Sequence, residues 1–334
     1  MPHSSYFIIL NMFNTIAIGD STLDVFLDID AASVVCNIDK KACQLCFNYA
    51  DKVPVKGVRH VYGVGNAANH AIGAARMGLK SAIYTIVGND DSGKATKRNF
   101  KKEKVDSKFI VTDKKHGTNF SAVLNYQAER TILVFHQPRT YKLPKLGKSK
   151  WVYFSSVAAE HGSLYPQLVN HIKKTKAKLA FNPGSHQLKE GVKVLGPIFK
   201  QTEVLFVNRH EAQRLVGKTS DIKALLKKVA KLGPKLVMIT EGPKGAYAYD
   251  GKDTYFQGLT PAKVVERTGA GDAFASGLIG ALQYGRPLPE AMLWGTINSG
   301  GVLELIGAQA GLQTKSEIQK KFKKYSARKA KLIK

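Results

Sequence analysis

Along most of this 334-residue chain, short apolar runs rich in β-branched residues alternate with longer stretches of helical periodicity. That alternation leaves few folds open. The apolar runs are Thr15–Gly19, Ser81–Val87, Trp151–Phe154, Lys178–Phe181, Val204–Val207 and Leu236–Thr240. Helical stretches cover Ala67–Met77, Leu164–Lys174, Glu211–Leu215 and Asp221–Leu232. A strand that is apolar at nearly every position must be covered on both faces, so the pattern predicts an α/β fold with a mostly parallel sheet between helices. Two segments break the rhythm. Residues 25–62 and 116–136 read as alternating strands, the second as a hairpin with its turn at Gln127-Ala-Glu-Arg130. They would suit a small β lid over a cleft at the strand ends.

Bulk features mainly exclude. No run of about 18 apolar residues is present, which excludes a membrane-spanning helix. Tyr6–Leu10 is too short and lacks the basic start of a signal peptide, so the expectation is a cytoplasmic protein, with residues 1–11 a dispensable extension. Lys and Arg number 51 against 25 Asp and Glu, a net charge of +26. Residues 315–334 carry nine of the bases and one acid, Glu317, and read as a basic C-terminal tail beyond a domain at 12–314. A second basic run spans Lys94–Lys115. Such a surface attracts polyanions or phosphorylated metabolites, yet a solvated lysine-rich face explains it as well. The tail has Phe322 and Tyr325 but no nucleic-acid motif, so nucleic acid is not an expected partner. Three cysteines, Cys36, Cys43 and Cys46, exclude a disulfide scaffold. Cys43-x-x-Cys46 lacks a second ligand pair for zinc, so free thiols are expected.

The sharpest motif is Thr268-Gly-Ala-Gly-Asp272, followed by the small, apolar Ala273–Leu282. Glycines ahead of a helix leave N–H groups free to converge on an anion. Asp272 would not bind phosphate but could take a proton from an attacking hydroxyl, while the N–H groups of Gly269, Ala270 and Gly271 hold a phosphoryl group. From this segment alone, a Gly-rich turn with Asp272 as a helix cap is an equal reading. In Gly63–Asn69, Gly65 could let a substrate approach the backbone and Asn66 or Asn69 could bond hydroxyls, or Asn66 could simply cap the next helix. Asp24 could accept hydrogen bonds from two substrate hydroxyls.

Taken together, these residues resemble the ribokinase/PfkB family of carbohydrate kinases, which also includes nucleoside kinases. Thr268–Phe274 is similar to the family's C-terminal signature and Gly65–Gly78 to its N-terminal one. Gly19–Asp24, Glu129–Leu133, Asn182-Pro183, Asn208-x-x-Glu211, Thr240-x-Gly242-x-x-Gly245 and Gly307-Ala-Gln309 follow the family order across residues 15–313. The resemblance implies a ribokinase-like three-layer α/β/α fold with a β lid. It also implies transfer of the γ-phosphoryl group of ATP to a hydroxyl of a sugar, with Asp272 as base. Substrate contacts would come from Asp24, Gly65, Asn66 and Asn69. Asn208 and Glu211 would organise Mg²⁺ and the ATP phosphates through waters, although Asn208-x-x-Glu211 is also a capping box. Thr240, Gly242, Gly245 and Thr268 would line the nucleotide site, with Asn298 near the adenine.

The chain departs from the family pattern at Val64, where a second glycine is usual, at Asn66, and at Glu266-Arg267 before Thr268. An Asp in that last run helps form a monovalent-cation site in many members, so K⁺ activation stays open. A nucleoside acceptor is the alternative, and it would need an apolar platform from Phe26, Phe47, Tyr49, Tyr62 or Phe120. The lid's exposed strands could pair two subunits into a homodimer.

Overall fold

The computed structural model describes residues 12–37, 43–127, 129–158 and 162–333. The expected extension at 1–11 lies outside them. In chain order, β1 (Phe13–Ile18) leads into β2 (Thr22–Ile29), β3 (Ser33–Cys36), β4 (Cys43–Cys46) and β5 (Val55–Val64), then α1 (Asn66–Arg76). Next come β6 (Ser81–Tyr84), β7 (Ile86–Gly88), α2 (Asp91–Lys102), β8 (Val111–Asp113), β9 (Asn119–Tyr126) and β10 (Glu129–Phe135). The middle holds β11 (Ser149–Phe154), α3 (Leu164–Thr175), β12 (Lys178–Phe181), α4 (Ser185–Phe199), β13 (Thr202–Asn208), α5 (Arg209–Val216) and α6 (Ile222–Ala230). The chain closes with β14 (Leu236–Thr240), β15 (Ala246–Tyr249), β16 (Thr254–Gln257), α7 (Ala270–Gln283), α8 (Leu288–Leu303), α9 (Lys315–Tyr325) and β17 (Lys331–Leu332).

The central sheet runs β17-β16-β15-β14-β13-β12-β11-β1-β6, parallel from β14 to β6 and antiparallel at the other edge. All-apolar strands demand cover on both faces, and they have it. One core holds Leu168, Leu195, Leu215 and Leu226 from α3–α6. The other holds Ala71, Leu278 and Trp294 from α1, α7 and α8. The expected α/β/α layering is therefore present. Among the described residues, no helix is long and apolar enough to cross a membrane.

A second sheet, β10-β9-β2-β5, is built from the two segments that broke the strand–helix rhythm. Its register puts Asp24, Phe26, Val61, Ser121 and Arg130 on one face. Leu23, Val58, Tyr62, Phe120, Leu133 and Phe135 lie on the other. The Asp24 face turns toward the central sheet: Val61 lies beside Gly307, and Arg130 Nε stands 3.8 Å from Glu266 Oε1.

Three expectations need correction. The hairpin turn is tighter than Gln127–Arg130, because Glu129 already pairs with Tyr126 and Arg130 is a strand residue. The run Ser81–Val87 divides into β6 and β7, which join different sheets. Cys36 and Cys43 are not free thiols but a disulfide, since the β3–β4 pairing sets them opposite each other with Cα atoms 4.0 Å apart. Cys46 is free. Within residues 315–333, Ile318 of α9 is fully buried, Phe322 meets Trp294 edge-on, and β17 extends the central sheet.

Candidate active site

Helix α7 begins at the Gly-rich loop, with Gly269 as its N-cap in the left-handed region at φ 78°. A side chain there would also collide with Ala308, so the position needs glycine for both backbone and packing reasons. Past this turn the helix enters the core against α8. Its first-turn amides do not all find partners: Gly269, Gly271 and Asp272 donate to no acceptor among the described residues. Ala270 N makes one long contact of 3.4 Å with Arg267 O. Unsatisfied N–H groups at a helix N-terminus form an electropositive patch.

Asp272 sits in that first turn, 6% exposed, and its Oδ2 accepts a 2.8 Å bond from Asn69 Nδ2. Burial raises its pKa from 3.8 to about 6, against the lowering effect of bonds from Asn69 and Asn66, with the Glu211 charge adding to the rise. Asn69 is itself held. Its Oδ1 accepts from Gln309 Nε2 at 3.0 Å, and Gln309 also donates to Gly63 O at 2.8 Å and accepts from Asn99 Nδ2 at 3.3 Å. Both ends of the Asn69 amide are thus committed to positioning Asp272. Gly65 is likewise structural in its surroundings: at φ 117° its missing side chain is accounted for by Asp20 O, which a Cβ would approach to 2.7 Å.

A polar cavity of about 320 Å³ opens over the loop, lined by Asn66, Arg130, Asn208, Glu211, Gly269–Asp272 and neighbours. Asn208 and Glu211 cap each other, Glu211 N donating to Asn208 Oδ1 at 2.9 Å and Asn208 N to Glu211 Oε2 at 2.8 Å. The capping reading of this pair holds, and the pair faces the cavity as well. Burial raises the Glu211 pKa. A second, mostly apolar cavity of about 290 Å³ adjoins the first, with Gly242, Gly245, Leu259, Val264 and Phe274 among its walls. Thr240, Arg267, Ala270 and Gly271 line both.

Glu266, although longer than the expected Asp, is buried and fully engaged. Oε1 accepts from the amide and hydroxyl of Thr268, and Oε2 accepts from Gly307 N at 2.6 Å. Asp24 is 8% exposed, with Oδ1 lacking any partner; burial raises its pKa to about 6, opposed by Ser121 and reinforced by the Glu266 charge. Asn119 Nδ2 is another buried, unpartnered group on the same sheet.

Asn298 does not line the apolar cavity. Its amide donates to Ala273 O and Ser276 Oγ and accepts from Gln313 N, tying α7, α8 and the following loop together, while Thr296, Ser299 and Gly300 face the cavity instead. Of the candidate aromatic platforms, Phe26 shares the Asp24 face, Tyr62 and Phe120 lie on the opposite one, and Tyr49 is fully exposed. Sequence reading assigned no role to Arg130, Arg267, Asn119 or Gln309. Arg130 and Gln309 lay inside quoted motifs, and Arg267 stood out only as a departure.

Known proteins agree with this architecture. The ATP-dependent 6-phosphofructokinase of Thermoanaerobacterium thermosaccharolyticum is 26% identical over 276 residues, covering 78% of this chain and 84% of its own. The cytidine kinase of Thermococcus kodakarensis is 28% identical over 264 residues, 73% of this chain and 88% of its own. The solved Arabidopsis thaliana ribokinase, complexed with ribose and ATP, superposes with a TM-score of 0.75 at 18% identity, covering 92% of this chain and 98% of that one. The family profile described as pfkB family carbohydrate kinase matches residues 29–315. A match over that much of the chain, on a fold shared with solved kinases, makes this protein a phosphotransferase of the PfkB carbohydrate kinase family.

Proposed function

We propose that the protein transfers the γ-phosphoryl group of ATP to a hydroxyl of a sugar, with Asp272 as general base. The observation that carries this reading is the position of Asp272: a buried carboxylate with a pKa near 6, beside helix-terminal amides that have no protein partner. A base whose pKa lies close to the working pH accepts a proton with little driving-force penalty. The acceptor hydroxyl gives its proton to Asp272 while its oxygen bonds to the γ-phosphorus. The bond from that phosphorus to the bridging oxygen breaks, and the electron pair leaves with ADP. The N–H groups of Gly269, Ala270 and Gly271 meet the charge on the transferring group.

The apolar cavity suits the nucleotide base, with Thr240, Gly242 and Gly245 along its wall. Asn208 and Glu211 both line the polar cavity, and the Glu211 carboxylate fits an outer-sphere role there, accepting from waters that Mg²⁺ would carry. Bound Mg²⁺ would neutralise phosphate charge there. Asp24 Oδ1 and Asn119 Nδ2, buried acceptor and donor without partners, suit vicinal hydroxyls of the acceptor. Phe26 on the same face supports a nucleoside as second reading, because a base needs an apolar platform. The exposed apolar residues of the lid's outer face, Val58, Leu133 and Phe135 among them, suit pairing of two copies through their lids, which sedimentation would test.

The direct test is ADP release with Mg-ATP across ribose, fructose, other hexoses, phosphosugars and nucleosides, with Asp272→Asn as blank. Turnover of one acceptor group, lost in the variant, supports the reading and fixes the acceptor. Equal rates in both proteins would reject Asp272 as base.

A further inference from the structure

The two cavities meet at Thr240, Arg267, Ala270 and Gly271, and only Arg267 of these is charged. Its neighbour Glu266 turns into the protein to clamp Thr268 and Gly307, while Arg267 is exposed on the cavity side. Elsewhere Arg76 pairs with Glu103, Arg139 with Asp113 and Arg209 with Glu241, while Arg130, which also lines the polar cavity, stands 3.8 Å from Glu266. The Arg267 guanidinium has no hydrogen bond or ion pair among the described residues.

We propose that Arg267 is a phosphate-binding residue, holding the phosphate chain of the nucleotide where it passes from the apolar cavity to the anion loop. The inference rests on the kinase reading above and adds a residue to it. A nucleotide with its base in the apolar cavity and its terminal phosphate at Gly269–Asp272 must run its phosphates through the junction, past this side chain. A guanidinium presents a planar fork that matches two phosphate oxygens at once, which an ammonium does not. As the terminal bond breaks, negative charge builds on the departing diphosphate, and a fixed cation at the junction stabilises it. Among the described residues the guanidinium makes no hydrogen bond or ion pair that would mark it as a stabilising group.

Calorimetric titration of the full chain with Mg-ADP and, separately, with adenosine tests this in wild type, Arg267→Ala and Arg267→Lys. The expected result is Mg-ADP affinity about ten- to a hundredfold lower in Arg267→Ala, the loss of one or two charge-assisted bonds, with an intermediate value for Arg267→Lys. Adenosine affinity and the ligand-free melting temperature stay at wild-type values. Unchanged Mg-ADP affinity in Arg267→Ala, or equal losses for Mg-ADP and adenosine, would overturn the role of the arginine while leaving the nucleotide site standing. Failure of the wild-type protein itself to bind Mg-ADP would overturn the site reading and the proposal with it.

Discussion

Asn69 donates a 2.8 Å hydrogen bond to Asp272 across 203 residues of sequence, and Gln309 in turn fixes Asn69 from the opposite side. The bond joins the first helix of the N-terminal half to the first turn of α7. A buried carboxylate would otherwise be disfavoured as an anion, and an amide donor restores part of what desolvation removes. The relay Asn99–Gln309–Asn69–Asp272 therefore orients the carboxylate and works against the rise in proton affinity that burial imposes.

Asp272→Asn should lower turnover by about 10² to 10⁴, the range for loss of a positioned base. Stability should move the other way. The folded-state pKa is raised from 3.8 to about 6, so the folded protein holds this proton more tightly than the unfolded chain. That contribution is present below 3.8 and lost as pH rises through about 6. An uncharged Asn escapes the loss, so the variant should melt no lower than wild type at pH 8. A variant that is both inactive and much less stable at pH 8 would mean that Asp272 is structural.

In wild type, kcat should fall below pH about 6 as Asp272 takes up its proton. Removing the Asn69 donor removes a bond that favours the ionised form, so Asn69→Ala should move this acid limb to higher pH. Gln309→Ala, which frees Asn69 without touching Asp272, should give a smaller shift in the same direction. Acid limbs that coincide in all three proteins would show that the relay does not tune the base.

These residues differ in how far the sequence alone exposes them. β14 is legible in Leu236–Thr240 because a strand buried on both faces must be apolar throughout, and Asp272 is legible because its loop and helix are contiguous. Helix α2 is hidden inside a basic run, since only Gly93, Thr96 and Phe100 of its length are buried and the rest reads as solvated charge. The Cys36–Cys43 bond is hidden because β3 is exposed on both faces and β4 is nowhere fully buried, so nothing in the strand pattern of residues 25–62 marks which two positions face each other. Arg130, Arg267 and Gln309 acquire meaning only when segments far apart in sequence converge. Asn298 shows the converse: a family expectation places it at the nucleotide, while its own hydrogen bonds tie two helices together.

Glu266→Ala should cost about 1–3 kcal/mol, the range for leaving buried donors unpaired, here the amides of Thr268 and Gly307. It should also lower kcat, because those bonds hold the anion loop in place. In the wild-type protein both carboxylate oxygens already accept from protein donors, so K⁺ would have to compete with the amides and hydroxyl that hold the loop. ADP release should accordingly be equal in potassium and in sodium buffers of the same ionic strength. Stimulation by K⁺ alone would show that a cation competes successfully for this carboxylate or binds elsewhere on the loop.

Residues 315–333 combine a strongly basic composition with packing against the core, and the two can be separated. Thr314 caps α9 by accepting from Glu317 N, Ile318 is wholly buried, and Arg286 lies over Phe322 and Trp294 at 5.7 and 5.9 Å. Ile318→Ala should therefore cost about 2–5 kcal/mol, measured as a lowered urea midpoint at unchanged net charge. Reversing exposed Lys320, Lys324 and Lys331 to Glu should leave that midpoint within about 0.5 kcal/mol, as for surface substitutions generally. Deletion after Thr314 would uncover Trp294 and the β16 edge, so a cooperative, undiminished melt in the deleted protein would contradict this packing. If the charge-reversed protein instead lost a salt-dependent affinity for nucleic acid that wild type possesses, the basic face would have a second role beside the structural one.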